Sequence, residues 1–588
     1  MRFPWYGGAH QAYLGTVAAM VVAFSGLATA DVEGHTGIDQ PEKIDHVSIG
    51  RDIYREGKLP SGEAIVGSSL GDIPVSGSLV ACENCHRRSG LGSSEGGKVV
   101  PPVTAQALLS DRTHDQRSAF RSRSLRSTER PAYDAEYLAR ALRLGVDSAG
   151  RTLDPLMPRY ELTDSHVEAL IAYLRTLVFE NIPGLTETEI HFATIVARNS
   201  DETDRQSMLE VLKRFFKDKN ANTRNESGRA SRGAYYRDFM EDSYRAWVLH
   251  VWELDGASDT WRKQLEKLYA DEPVFALVGG IGEGSWRPVH EFCENNGVPC
   301  IFPITDQPVG DEDFYSIYLS VGLRQEARAL AEELKSVWES VSGSECGGPG
   351  TERSPRLEKA DVPLIVQVYR RGSEGEAMAK AVSDGLEGSE WPTEVHAVES
   401  AGPPPTQFWR SLYAERPGSI LFVWLSARDL VSFKQAIPVP GAPDRPQMVV
   451  VSETITGPDA FRVTGALIPQ TRVVSKFELL DGRNRSLERL RAWLRPRGIE
   501  LKRERIQADS YLAVTLTSSA VRHMRRNFSR EYMIEIIEHG LDNSVFRSVY
   551  PRLSLGPNQR FASKEIYILR TIDCDPEKWI SVDDVSAH

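Results

Sequence analysis

Two thiols and an imidazole stand together in Cys82-Glu83-Asn84-Cys85-His86, and no other stretch of the chain packs so much reactive chemistry into five residues. In a helical turn, residues three and four apart share a face, so Cys82, Cys85 and His86 point the same way. This is the C-x-x-C-H signature of c-type haem attachment. The two thiols suit the two vinyl groups of one porphyrin edge, and the next residue sets an imidazole nitrogen over the iron. Two rival uses exist for such a cysteine pair. A redox dithiol would sit in a βαβ pattern, and half of a zinc site would need a second ligand pair nearby. Neither context is present, since the next cysteine is Cys293. The expectation is one covalently attached haem c, held by Cys82 and Cys85, with His86 as an axial iron ligand.

The surrounding elements must position that group. Ile49, Ile53 and Tyr54 share the face of a short helix, which Gly50 is expected to open. Ser89-Gly90-Leu91-Gly92 and Gly96-Gly97 form a loop able to pass close to a flat ring. Tyr137, Leu138, Ala141, Leu142 and Leu144 give a second helical stripe. Thr163-Asp164 caps a closing helix bearing Val167, Leu170, Ile171 and Leu174. Just before it, Met157 lies between Pro155 and Pro158, and it is the sole methionine of residues 31–180. His46, His114 and His166 are the rival second ligands. Arg112, Arg117, Arg121, Arg123, Arg126 and Arg130 read as a solvated loop; one or two of them could instead pair with haem propionates or an acidic redox partner.

The segments CENCHRRSG and ARALRLGVDSAGRTLDPLMPRY resemble the class I-like cytochrome c domain found fused to extracytoplasmic solute-binding proteins. The resemblance spans residues 50–178. It implies an all-α domain whose first helix packs on its last, and a low-spin haem with Met157 opposite His86, used for electron transfer.

The chain has 588 residues and a formal charge of −12, with no basic block that would offset it, so nucleic acid is not expected as a partner. Residues 1–30 read as a secretory signal peptide: Arg2, an apolar run from Leu14 to Leu27, then Ala28-Thr29-Ala30. Export to the periplasm agrees with haem attachment outside the cytoplasm. There the remaining cysteines meet oxidising conditions. Cys293 and Cys300 are expected to pair, because the connection between them can fold back on itself; Cys346 and Cys574 are candidates for a second bridge.

Residues 31–180 therefore read as one domain, 181–187 as a linker, and 188–580 as a second region. There the pattern changes to apolar runs alternating with helical stripes. Runs at Ile190–Val196, Trp247–Trp252, Val274–Gly280 and Pro299–Pro303 predict one parallel sheet, and Leu364–Tyr369, Ile420–Leu425 and Gln447–Val451 predict another. The two lobes read as a clamshell, with Ser342 to Pro355 as the first crossing and Lys217 to Arg237 as a loop insertion. Gly279-Gly280-Ile281-Gly282 lacks the register of a dinucleotide site.

FALVGGIGEGSWRPVHEFCENNGVPCIFP, YSIYLSVGLRQEARALAEEL, QADSYLAVTLTSSAV and YPRLSLGPNQRFASKEIYILR resemble the type I periplasmic solute-binding proteins of the branched-chain amino acid ABC receptor family. That implies a small-molecule ligand gripped between two lobes. Ligands of α/β sheets lie at the carboxyl ends of strands. The candidate contacts are Glu283, Ser285, Trp286, Thr305 and Asp306 in the first lobe, and Tyr369, Trp424, Ser426 and Glu453 in the second. The reading is a non-enzymatic periplasmic protein that carries electrons and binds a solute. Its partners would be an electron donor or acceptor and an ABC transporter or other membrane protein. The alternatives are a peroxidase-like haem enzyme, which needs an open iron position, and a ligand- or redox-sensing receptor.

Overall fold

The helix His46–Glu56 crosses the helix Asp164–Leu174, and the crossing explains a glycine. A Cβ at Gly50 would stand 2.0 Å from the carbonyl oxygen of Ala169. Gly50 therefore sits inside the first helix as a contact point and does not open it. Ile53 and Tyr54 from one helix, and Val167 and Leu170 from the other, are buried at this junction; each such side chain contributes about 1.5–3 kcal/mol. The cap read at Thr163 is formed. Thr163 Oγ1 accepts the His166 N–H at 3.3 Å, while His166 Nδ1 accepts the Thr163 N–H at 3.4 Å. Asp134 caps the helix Ala135–Leu144 through the Tyr137 N–H at 2.8 Å.

The structure is a computed structural model. It describes residues 45–69, 73–95, 97–111, 129–230, 245–310, 313–337, 362–400, 402–439, 441–524, 527–543, 548–571 and 579–581. The signal peptide, His114, the arginines from Arg112 to Arg126, Cys346, Cys574 and the segment 342–355 lie outside these residues. The chain divides into Met1–Asp45 and a single compact unit, His46–His588. No helix among the described residues is long and apolar enough to cross a membrane.

The first region is not purely helical. Strands β1 (Val66–Ser69), β2 (Ile73–Ser76) and β5 (Arg159–Tyr160) form a small antiparallel sheet, in which Gly67 faces Tyr160. β3 (Ser94–Glu95) and β4 (Lys98–Val99) make a hairpin. The β1–β5 pairing gives backbone partners to the proline-bracketed chain after Met157, which cannot be helical.

Two α/β layers follow. The first holds β6 (Glu189–Ala197), β7 (Ala246–Leu254), β8 (Ala276–Val278), β9 (Cys300–Ile301), β10 (Ser316–Ser320) and β16 (Phe561–Ser563), in the order β16-β10-β9-β8-β6-β7. The second holds β11 (Ile365–Arg370), β12 (Thr393–Val398), β13 (Ile420–Trp424), β14 (Met448–Ser452), β15 (Thr471–Ser475), β17 (Tyr567–Thr571) and β18 (Trp579–Ser581), in the order β12-β11-β13-β14-β15-β17-β18. Strands such as β8 and β13 are buried on both faces, as parallel strands covered by helices must be.

The chain crosses between lobes three times: after β10, after β15, and between β16 and β17. The first crossing is at Val321-Gly322 and not at 342–355. Leu323, Ala327, Leu330 and Leu334 of the helix Leu323–Val337 already pack with Ile365, Met378 and Val382 of the second lobe. Gly322 has φ +71°, and a Cβ there would lie 2.3 Å from the Asp306 carbonyl oxygen. The expected loop at 217–237 is also corrected, since the helix Glu202–Ala230 runs through its first part. Helices Glu504–Met524 and Arg530–Asn543 return to the first lobe, where Ala513, Leu516 and Met533 join the core under Ile190 and Phe275.

Candidate functional site

Cys82 begins the single helical turn Glu83–His86, and the His86 N–H donates to the Cys82 carbonyl at 2.9 Å. Cys82, Cys85, His86 and Met157 all line one cavity of about 1140 Å³. Ordinary small-ligand pockets occupy roughly 300–1,000 Å³, so this one suits a large group. Tyr54, Leu138, Leu142, Tyr160, Leu170 and Leu174 also line it, giving a largely apolar wall.

His86 is oriented. Its Nδ1 lies 2.9 Å from the Pro101 carbonyl oxygen, which can only accept, so Nδ1 carries the proton and Nε2 keeps its lone pair. Burial lowers its proton affinity, against the hydrogen bond to Pro101. Burial pushes the Cys82 thiol up to about 12.

The Met157 loop is tied down on several sides. Lys98 Nζ pairs with Asp154 Oδ2 at 2.8 Å, Asp154 Oδ1 accepts the Leu156 N–H at 3.0 Å, and Arg159 donates to the Met157 carbonyl. Of the rival ligands, His166 is engaged in its helix cap, and neither His166 nor His46 lines the cavity. Arg130 does line it, stacked 4.6 Å from the Tyr133 ring. So does Arg151, paired with Asp147 at 2.8 Å, which sequence reading passed over. The donors and apolar walls fit a covalently held, axially ligated macrocycle.

The solute-contact candidates fare unevenly. Trp286 and Trp424 are fully buried. Trp286 stacks edge-on against Trp261 in the first lobe, and Trp424 Nε1 donates to Gln367 Oε1 at 2.8 Å in the second. Both are core residues: Trp286 caps the helix Arg287–Asn296 and Trp424 ends β13, and each turns inward into its lobe. Asp306 is buried between Arg505, 3.0 Å from Oδ2, and Lys476. Burial pushes this carboxyl up, but the Arg505 and Lys476 charges outweigh it and hold the group well below the usual carboxylate range. Glu453 is likewise committed, to Arg483 at 2.6 Å and to Ser475 Oγ at 2.5 Å. Ser426 Oγ donates to Asp429 Oδ2 at 3.0 Å, and Asp429 holds Arg370 at 2.7 Å. Thr305 is buried and accepts the Gln307 N–H at 3.2 Å. Tyr369 is half-buried against the second-lobe core. Only Glu283, which is exposed, and Ser285, which is half-buried, keep side chains broadly open at strand ends.

A residue that sequence reading missed is Glu374, in the first turn of the helix after β11. Burial first, and the neighbouring Asp306 charge second, push its carboxyl up to about 8. Its position just beyond a strand's carboxyl end was the available signal. Cys293 and Cys300 are two buried, neighbouring free thiols; the bridge expected from sequence is not formed here.

No family model matches the chain, and no curated protein matches it. Among solved structures it is similar to a fatty acid ABC transporter substrate-binding protein from Thermomonospora curvata, at 12% identity, 69% of this chain and 94% of that one, TM-score 0.45. A possible leucine/isoleucine/valine-binding protein from Rhodopirellula baltica matches at 12% identity, 67% and 96%, TM-score 0.44. A leucine-binding protein from Thermotoga maritima matches at 10% identity, 67% and 99%, TM-score 0.44. The two-lobed α/β architecture itself is read from the strand order and the three crossings.

Proposed function

We propose that this chain is a periplasmic haem c protein that carries single electrons and binds a small solute between its two α/β lobes. The observation that carries the first part is the convergence of Cys82, Cys85, His86 and Met157 on one cavity. Bound haem would supply a one-electron carrier. Cys82 and Cys85 would fix its edge through two thioether bonds. His86 would offer Nε2, with Pro101 setting its tautomer. Met157 would offer its thioether sulfur as a second ligand, and its presence in the same cavity favours a carrier over a peroxide-activating enzyme. The solute-binding part is supported by two open-edged α/β lobes joined by three short crossings, an arrangement that closes by a hinge. Solute handover to a membrane transporter, and exchange with a periplasmic electron donor or acceptor, belong to the same reading.

The test is expression with export in a host that attaches c-type haem. The purified protein should show a c-type absorption spectrum whose haem resists acid-acetone extraction. Replacing both Cys82 and Cys85 by Ala should abolish that resistance. Protein that folds and is exported without covalent haem would overturn the reading. Mass spectrometry of small molecules released on denaturation would identify the solute.

A further inference from the structure

The turn that carries His86 runs directly into the contact between the first region and the lobes. Tyr54 OH holds the Arg87 carbonyl at 2.8 Å. The Arg88 guanidinium lies 4.1 Å from the Phe314 ring centroid and 5.6 Å from that of Tyr315. Ser89 donates twice to Glu535 of the helix Arg530–Asn543, from N–H at 2.8 Å and from Oγ at 2.6 Å. Ser89 is only 2% exposed, so this contact is sealed from water. A tethered, independently tumbling domain would not bury such groups.

What the contact touches gives it consequence. Phe314 and Tyr315 lead straight into β10. The Glu294 carboxylate accepts the N–H groups of Phe314, Tyr315 and Ser316 at 3.0, 3.0 and 2.8 Å, and Tyr315 OH donates to Glu531 at 2.5 Å. Arg560, which leads into β16, donates to the Phe314 carbonyl at 2.6 Å and pairs with Glu538 on the same helix that holds Ser89. β10 and β16 are paired strands, Tyr318 facing Phe561 and Ser320 facing Ser563. Each then crosses into the second lobe, and Gln325 joins the two crossings by donating to the Lys564 carbonyl. Two of the three hinge segments thus follow strands whose leading residues, Phe314, Tyr315 and Arg560, are gripped by Arg88 and by the helix that holds Ser89.

We infer that the His86 cavity and the lobe hinge are coupled through the Arg88–Ser89 contact, so that the state of the cavity biases closure and closure biases the cavity. Reciprocity follows from linkage, and the bistable element is the hinge. The inference rests on the reading of the cavity as a haem site. It is tested by hydrogen–deuterium exchange on the holoprotein, oxidised with ferricyanide or reduced with dithionite. Peptides covering 316–323 and 561–567 should exchange at rates differing at least twofold between the two states. In Arg88→Ala and in Ser89→Ala the difference should vanish, while the absorption spectrum stays that of the parent. Equal exchange in the parent protein, or a difference that survives both variants, overturns the coupling. A preparation without covalent haem overturns the cavity reading as well, and its spectrum shows that failure before any exchange is measured.

Discussion

Asp306→Asn separates two roles for one residue. A solute contact would cost ligand affinity and leave the free protein as stable as before. The geometry instead makes Asp306 a latch at the hinge. Its carbonyl oxygen accepts the Leu323 N–H at 3.0 Å across the first crossing, and its carboxylate holds Lys476 on the second crossing and Arg505 at the start of a first-lobe helix. The Lys476 side chain is 1% exposed, so loss of its counter-charge strands a buried ammonium. Removing one partner of such a buried pair costs about 3–5 kcal/mol. Arg505 is 25% exposed and can turn toward water, which favours the lower end, about 3 kcal/mol. The assay is urea unfolding without added ligand, on Asp306→Asn, Lys476→Met and the double variant. The two costs should be non-additive by more than about 1.5 kcal/mol, since the double variant no longer strands the Lys476 ammonium and loses only the Arg505 pairing. The pH dependence has a definite sign. The folded-state carboxyl lies below its unfolded value of about 3.9. Its stabilisation is therefore complete above about pH 5 and is lost as pH falls toward the folded value. The parent should lose more stability than Asp306→Asn between about pH 4 and pH 2. A single-variant cost under about 0.5 kcal/mol, or simple additivity, would refute the latch.

In holoprotein, Met157→Ala should lower the reduction potential and admit carbon monoxide or cyanide, read by absorption spectroscopy; an unchanged spectrum and potential would assign the ligand elsewhere, to His46, His114 or His166. Gly50→Ala sets two effects of opposite sign against each other. Helix propensity favours Ala by about 1 kcal/mol, but the Cβ would collide with Ala169 backbone. A net loss of about 1–3 kcal/mol is expected, and net stabilisation in thermal melts would show that the helices separate freely. Protein purified from an oxidising compartment should show no alkylation of Cys293 or Cys300 after unfolding without reductant, the two thiols being buried neighbours; labelling of both would exclude the bridge.

What the sequence determined by itself was local. Cys82, Cys85 and His86 are related by one helical turn, and Thr163 and Asp134 cap helices within three residues of themselves. Apolar runs such as Ile420–Trp424 announce buried strands because a strand covered on both faces leaves no polar positions. β12, Thr393–Val398, escaped because its exposed and half-buried residues break that signal. The tertiary structure decided everything that depends on distant partners. Asp306 and Glu453 look like open carboxylates in sequence, yet Asp306 is claimed by residues 170 and 199 positions away, and Glu453 by one 30 away. Trp286 and Trp424 look like pocket walls, yet whether a side chain at a helix start or a strand end points inward is set by the layer packed upon it. The first crossing fell at Gly322 and not in the Gly- and Ser-rich stretch, because a helix joins the lobe that buries its apolar stripe. Charge pairing and burial act through space, where separation along the chain has no bearing on their strength.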